Sequence, residues 1–342
     1  MPEQEFSMKF LSICITSYNR VSELERCLLS IDTKYKDEIE IVICEDCAPK
    51  REQVRDMVKQ FSEKTQYDVV YHENINNLGF DRNLAMLISI AKGQYVLLMS
   101  DDDCFAPNCL DFVIESLEQK KPVYAYTSYE ITANGLKKRK YDNLETIPKG
   151  LKTIAKHYDD SILFSGLIFD RKFASGFDAE RFLNHNYFQV YLYLESAYLY
   201  DGLYIDVTLI KCMEDGENGY GSSASAVKNA DLINRKSVFS NMEFNKGLIK
   251  VIKYFDSIHN TRVIDDLAKD YSLKSFYAFA RAREISKNCL KEYWKRFNSL
   301  DINVYLVAKI YYRMLMLFGA KFCIAIMKLP RRMLFKAKGC KK

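Results

Sequence analysis

An apolar run, Gln94-Tyr95-Val96-Leu97-Leu98-Met99-Ser100, ends in three consecutive aspartates, Asp101, Asp102 and Asp103. An unbroken apolar row of this length predicts a strand buried on both faces. Such a strand gains no stability from three adjacent carboxylates at its end. Carboxylates this crowded repel one another unless a cation or a set of donors offsets them. Oxygen ligands favour Mg2+ or Mn2+, and these ions usually bind together with substrate phosphates. The plain alternative is an acidic turn that caps the next helix.

Three more strand-like runs precede this one, so that the series reads Phe10–Thr16, Ile39–Cys44, Asp68–His72 and Tyr95–Met99. Their starts lie roughly 30 residues apart, the length of a βαβ unit. Between them, Ser22–Ile31, Lys50–Lys64 and Asp81–Ala91 carry apolar residues at helical spacing. The pattern predicts an α/β protein, a mostly parallel sheet sandwiched by helices. In such sheets ligands bind beyond the carboxyl ends of the strands. The polar residues fall there: Thr16-Ser17-Tyr18-Asn19-Arg20, Glu45-Asp46 and the aspartates. A nucleotide-diphosphate site is the leading expectation.

Three segments carry a resemblance: LSICITSYNR at Leu11–Arg20, IEIVICEDCAP at Ile39–Pro49, and Asn74–Pro107. Together they resemble the family 2 glycosyltransferases, inverting enzymes of the Rossmann-like GT-A fold with nucleotide-sugar donors. The likeness covers about the first third of the chain and fades after Tyr129. A small residue before three aspartates is most similar to O-antigen and capsule sugar transferases, including abequosyltransferase-like members. The resemblance implies that Thr16 and Tyr18 hold and stack on the base, with Arg20 in the same binding loop. It also implies that Asp46 accepts a base N–H, and that Asn77, Gly79 and Arg82 line the sugar-diphosphate side. The family writes its strand end as Asp-x-Asp-Asp, with a proline four residues beyond. Pro107 sets that register here, placing Ser100 at the first Asp, Asp101 near the ribose, and Asp102 as metal ligand with Asp103 as a further ligand. The register Asp101-x-Asp103 stays open.

The catalytic base is the weakest part of the pattern. The family places an acidic pair shortly after a Phe-Asp segment. Counting from Phe177-Asp178 lands that pair on Asn186-Tyr187, neither a base at neutral pH. His185 is the nearest group that titrates near pH 7, followed by Asp178 and Glu180. Each has a bland reading, a helix cap for the histidine and an exposed turn for the carboxylates. Asp81 reads as the N-cap of its helix, and Gly79 as a left-handed turn before it.

The rest of the chain is bounded by composition and charge. At 342 residues and 48% hydrophobic, it has room for one large domain and an appendage. The expected divisions are a transferase domain over 8–226, an accessory helical region over 227–300 and a tail over 301–342. Residues before Met8 look like an added leader, and the acidic start MPEQEFSMKF carries no secretory pattern. Ten cysteines are scattered through apolar segments and read as small core residues; only Cys44 and Cys47 form a C-x-x-C, with no second pair to complete a zinc site. Leu163–Phe169 and Leu203–Ile210 read as strands, and Tyr187–Tyr200 as a helix. Ser237–Phe255, Arg262–Ala280 and Arg281–Phe297 also read as helices. The Gly/Ser-rich stretch Met213–Ala226 suits a lid over the donor.

The net charge of +5 does not point to nucleic acid. Residues 301–342 hold ten Lys/Arg and one Asp, so the tail carries +9 and the rest −4. The tail is also apolar, yet Lys309, Arg313 and Lys321 interrupt every run long enough to span a bilayer. Its cations fall on one arc of a helix, with six more beyond Pro330. This predicts an interfacial helix on an anionic membrane surface; the alternative is a core-packing or oligomer helix. The expected protein is a metal-dependent inverting sugar transferase, peripheral on the cytoplasmic face of a bacterial inner membrane. It would serve a polyprenyl-diphosphate-linked saccharide acceptor. Two competing readings are a nucleotidyltransferase of similar fold, which would want glycines after the first strand that TSYNR lacks, and a nucleotide-sugar-binding scaffold without turnover.

Overall fold

The computed structural model describes residues 9–139, 146–182, 186–213 and 238–327. His185, the Gly/Ser-rich residues 214–226 and the basic segment 328–342 therefore lie outside the described residues, as do residues 1–8. The chain divides into two compact units, Met1–Asn229 and Ala230–Lys342.

In the first unit, β1 (Leu11–Ser17), β2 (Ile39–Glu45), β3 (Asp68–Glu73) and β4 (Tyr95–Ser100) run parallel in the spatial order β3-β2-β1-β4. The helices α1 (Val21–Leu29), α2 (Arg51–Ser62) and α3 (Phe80–Ile90) connect them, as the periodicity predicts. Every residue of β2 and β4 is buried. Ile13, Ile15, Ile41, Ile43, Leu97 and Met99 join Leu24 and Leu28 of α1 and Val54 and Val58 of α2 in one apolar layer. Full burial of each such side chain is worth about 1.5–3 kcal/mol. A one-residue slip would turn the whole set outward, so this layer fixes the register that aligns the polar strand ends.

Past β4 the chain adds β5 (Cys104–Phe105), α4 (Leu110–Lys120), β6 (Tyr124–Ile131), β7 (Leu136–Lys138) and β8 (Thr146–Ile147). Then follow α5 (Leu151–His157), β9 (Leu167–Asp170), α6 (Arg171–Ala174), α7 (Phe188–Leu199) and β10 (Gly202–Cys212). The main path of the sheet is β3-β2-β1-β4-β9-β6-β10-β5, with β9 antiparallel to both of its neighbours. The strand expected over Leu163–Phe169 begins only at Leu167. Gly166 holds φ +80°, and the buried Arg139 draws the carbonyls of Leu163 and Ser165 away from the ladder. β6 was not legible in the sequence, because its tyrosines alternate with small and polar residues rather than forming an apolar run.

Asp81 departs from its expected role. The N-cap of α3 is Gly79, at φ 80°, and it makes no side-chain capping bond. Asp81 lies one residue into the helix and is buried. Its carboxylate accepts the backbone N–H groups of Asn186 and Phe188, both at 2.9 Å, at the start of α7. The residue caps a helix 107 positions downstream instead of its own.

The second unit is helical. Its long helices are Ser240–His259, Val263–Ile285, Lys287–Asn298 and Leu306–Phe318. The break expected after Ala280 falls instead at Ser286, whose extended backbone and hydroxyl cap Cys289 N. The helix Leu306–Phe318 packs on Val263–Ile285 through Phe276 against Tyr311, and Trp294 stacks on Tyr312 at 4.7 Å. Ala308 and Leu315 are fully buried, so much of the tail's apolar circumference is spent inside its own unit. The side left exposed mixes Leu306, Ile310 and Leu317 with Lys309 and Arg313. Among the described residues no helix is long and apolar enough to cross a membrane. The nine described cysteines are free thiols, five of them buried.

Asp81→Ala should lower the unfolding free energy by about 1–3 kcal/mol, because two amides in a closed corner lose their acceptor. Chemical denaturation checks this. An unchanged midpoint would show that the corner is held by other contacts.

Candidate nucleotide-sugar site

The aspartate triplet leaves β4 as a tight turn, and its three carboxylates go three ways. Asp101 turns toward β1: its Oδ2 accepts Tyr18 N at 3.0 Å and its Oδ1 meets Arg20 Nη1 at 2.6 Å. Asp103 turns the opposite way and accepts Ser165 Oγ at 2.6 Å. Cys212 and the Met213 amide at the end of β10 also donate to it. Burial pushes Asp101 up to about 7 against the pull of the Arg20 guanidinium, and pushes Asp103 up to about 6 with help from the charge on Asp102. Asp102 stands between them and keeps the most contact with solvent, its side chain 13% exposed against 4% for Asp101. Its Oδ1 takes the Ser100 hydroxyl and its Oδ2 lies 3.1 Å from Arg20 Nη1. Helix α1 braces the turn from one side, with Arg26 Nη2 on the Asp102 carbonyl and Cys27 on the Ser100 carbonyl.

Asp46 organises a second cluster. Its Oδ1 accepts Asn74 Nδ2 and Leu78 N, at 2.9 and 2.7 Å, and its Oδ2 accepts Gly79 N at 2.9 Å. Asn77 Nδ2 reaches the Asp46 carbonyl. Three of the roughly four lone-pair positions of a carboxylate are thus filled by the β3–α3 loop, leaving one for a ligand donor. Burial raises the Asp46 carboxyl above its usual range. Nearby, Ser17 Oγ, Asn19 Oδ1 and Asn77 Oδ1 are buried and have no hydrogen-bond partner within the described structure. Buried polar atoms are seldom left this way, and three at one sheet edge mark a place for a polar ligand.

Arg82, on the first turn of α3, turns its guanidinium to the segment after α6. It forms a two-pronged ion pair with Glu180, Nε–Oε1 2.7 Å and Nη2–Oε2 2.6 Å. That pair holds the Glu180 carboxyl below its usual range. Asp178 accepts Glu180 N at 2.8 Å and starts the short turn Ala179–Phe182. Arg82, Asp178 and Glu180 line a groove of about 550 Å3 between the outer side of α3 and residues 174–180.

The structure therefore brings Tyr18, Arg20, Asp101 and Asp102 together, joins Asp46, Asn77 and Gly79 beside them, and groups Arg82 with Asp178 and Glu180 along a groove that Leu78 also lines. Thr16 lies on β1 opposite Ser100 in register. Sequence reading missed Ser165, Arg26 and Asn74, whose roles depend on neighbours distant in the chain. Among the described residues, no three His, Cys, Asp or Glu side chains converge into a metal cage. What is present is one carboxylate facing the open side of the turn, backed by Asp101 and Asp103. This donor set fits a hard cation that completes its shell with water and substrate phosphate.

The family described as glycosyl transferase family 2 matches residues 12–175, a segment that includes the carboxyl ends of β1, β2, β3 and β4. Residues 12–175 form a family 2 glycosyltransferase domain. Abequosyltransferase RfbV of Salmonella typhimurium is 30% identical over 114 residues, 33% of this chain and 34% of that protein. An uncharacterized glycosyltransferase of Haemophilus influenzae is 31% identical over 109 residues, 32% of this chain and 35% of its own length. The chain thus spans about a third of the length of these curated relatives. Among solved structures, S. aureus TarS 1–349 superposes over 90% of this chain and 91% of its own, with a TM-score of 0.51 at 16% identity. The same TarS fragment in complex with UDP gives 0.52 at 13% identity. The glycosyltransferase domain has the GT-A fold expected from the resemblance.

Asp46→Ala should speed hydrogen exchange at the Leu78 and Gly79 amides by at least about tenfold, since each loses its acceptor. Exchange mass spectrometry of the β3–α3 loop reads this directly. Unchanged protection there would mean that the loop is held without Asp46.

Proposed function

We propose that this protein is a metal-dependent, inverting glycosyltransferase that moves a sugar from a nucleoside-diphosphate donor to a lipid-linked saccharide, a step in surface polysaccharide assembly. The observation that carries this reading is Asp102, the most open carboxylate of the triplet, beside orphaned polar atoms at the carboxyl edge of parallel strands. The name of the Salmonella relative, an abequosyltransferase, supports a sugar as the group transferred. In this reading Tyr18 stacks on the base, Asp46 offers its remaining acceptor position to a base N–H, and Asp101 meets the ribose. Thr16, Asn77 and Gly79 border the same space. Asp102, supported by Asp103, would hold Mg2+ or Mn2+, which when bound offsets charge on the departing diphosphate.

Inversion needs a base that takes the acceptor proton as the hydroxyl attacks the anomeric carbon. Glu180 is engaged by Arg82, which lowers its basicity. Asp178 is engaged as a cap. His185 is the base proposed here, the nearest group in the sequence to Asn186-Tyr187 that titrates near pH 7. The acceptor is proposed to be a polyprenyl-diphosphate-linked saccharide at an anionic membrane surface. The exposed stripe Leu306, Lys309, Ile310, Arg313 and Leu317 supports this, since aliphatic side chains entering a headgroup layer would set both cations against lipid phosphates. The reading makes the protein peripheral on the cytoplasmic leaflet.

Transfer and donor hydrolysis across a panel of nucleotide sugars test the catalytic reading. Asp102→Asn should abolish cation-dependent turnover with little loss of fold stability, since one of three crowded charges is removed. His185→Ala should cut turnover by about 10²–10⁴-fold with donor binding intact. Near-normal activity in Asp102→Asn alongside loss in Asp103→Asn would move the metal register by one residue. No turnover of any donor by the wild type would favour a scaffold.

The membrane reading has its own test. Lys309→Glu with Arg313→Glu should release the protein from vesicles of anionic phospholipid while leaving soluble-donor binding unchanged. Equal partitioning of wild type and variant would count against the membrane surface.

A further inference from the structure

Arg20 occupies the approach to the most open carboxylate of the site, and it is itself a cation. Its Nη1 lies 2.6 Å from Asp101 Oδ1 and 3.1 Å from Asp102 Oδ2, with a side chain only 11% exposed. Asp102 Oδ1 is taken by the Ser100 hydroxyl, and the Asp102 carbonyl by Arg26. Each oxygen of Asp102 therefore already has a donor, and one of those donors carries a full positive charge.

A bare divalent ion arriving here gains little. It must draw Oδ2 away from a guanidinium already in contact, and that guanidinium then repels it. In return it gains one readily reached carboxylate, because Asp101 is committed to Tyr18 and Arg20, and Asp103 to Ser165, Cys212 and Met213. Ions of the Mg2+ type give up water reluctantly for so few ligands. A diphosphate changes both sides of this balance. Its oxygens complete the shell of the ion, and its charge offers Arg20 a new partner whose geometry suits the planar guanidinium fork.

We propose that Arg20 is a resident counter-cation of the aspartate turn that makes divalent-metal binding conditional on the diphosphate, so that metal and nucleotide load together. The proposal rests on the metal-dependent reading above and adds the linkage between the two ligands. Ser100 serves the same end: its hydroxyl donates to Asp102 without adding charge to the cluster.

The test measures Mn2+ binding to the full chain by electron paramagnetic resonance. It is run with Mn2+ alone and with UDP, CDP, GDP or dTDP, each in turn. Wild type should bind Mn2+ weakly alone, and about 5–150-fold more tightly with a nucleotide that binds, the usual span of coupling between linked sites. Arg20→Gln should tighten binding of Mn2+ alone, weaken the nucleotide, and shrink the enhancement to the part that the diphosphate oxygens supply as ligands. Ser100→Asp, with Arg20 retained, should also tighten Mn2+ alone, and it serves as the deciding variant if Arg20→Gln does not fold. Equal Mn2+ affinity with and without nucleotide in the wild type overturns the proposal alone. So does a loss of Mn2+ affinity in Arg20→Gln, or no gain in Ser100→Asp. Mn2+ that binds under no condition overturns the metal-dependent reading and this proposal with it.

Discussion

A carboxylate withdrawn from water at the end of an apolar strand has to be met by donors, and β4 delivers three of them side by side. The chain handles the crowding by turning the three carboxylates in different directions, with Arg20 shared between the first two. Asp101 is held by the β1 loop through Tyr18 and Arg20. Asp103 is held by Ser165 ahead of β9 and by the end of β10. Asp102, the most exposed of the three, takes the Ser100 hydroxyl and the edge of Arg20. The turn is therefore a junction of four strands, and the aspartates give the parallel half of the sheet and its antiparallel continuation a common anchor. Ser165 is the shared post of that junction, since its hydroxyl also accepts Ser100 N and its carbonyl accepts Arg139 Nη1.

How much of this was legible follows from the range of the interactions involved. β1 to β4 and the helices between them are written in local periodicity, and the structure places them within a few residues of the expected bounds. The carboxyl-edge clusters were legible for the same reason, since parallel strands put their polar ends on one side. The partners of each aspartate were not. Asp101 lies more than 80 residues from Tyr18 and Asp103 62 residues from Ser165, and no local pattern marks such a pair. Asp81 shows the limit from the other direction. An Asp near a helix start reads as a cap for that helix, and only the fold reveals that its acceptors serve α7. Arg82 is similar, because its pairing with Glu180 becomes visible only once residues 174–180 lie along α3.

The tail illustrates a different ambiguity. An amphipathic pattern states that one side of a helix wants cover and does not say by what. Here Tyr311, Tyr312 and Leu315 find that cover inside the second unit. Cations and aliphatic side chains are then left to alternate on the open side. A two-faced helix becomes a packed helix with a mixed outer stripe.

The first turn of α3 joins two parts of the first unit that have no other stated reason to move together. Gly79 N is fixed on Asp46, beside the edge where polar atoms wait for a ligand, while two residues later Asp81 fixes the Asn186–Phe188 corner. A displacement of that turn is felt at both ends at once. A substitution that reshapes the β3–α3 loop therefore carries a geometric echo at the start of α7, and changes in the two places should be accepted as pairs rather than singly.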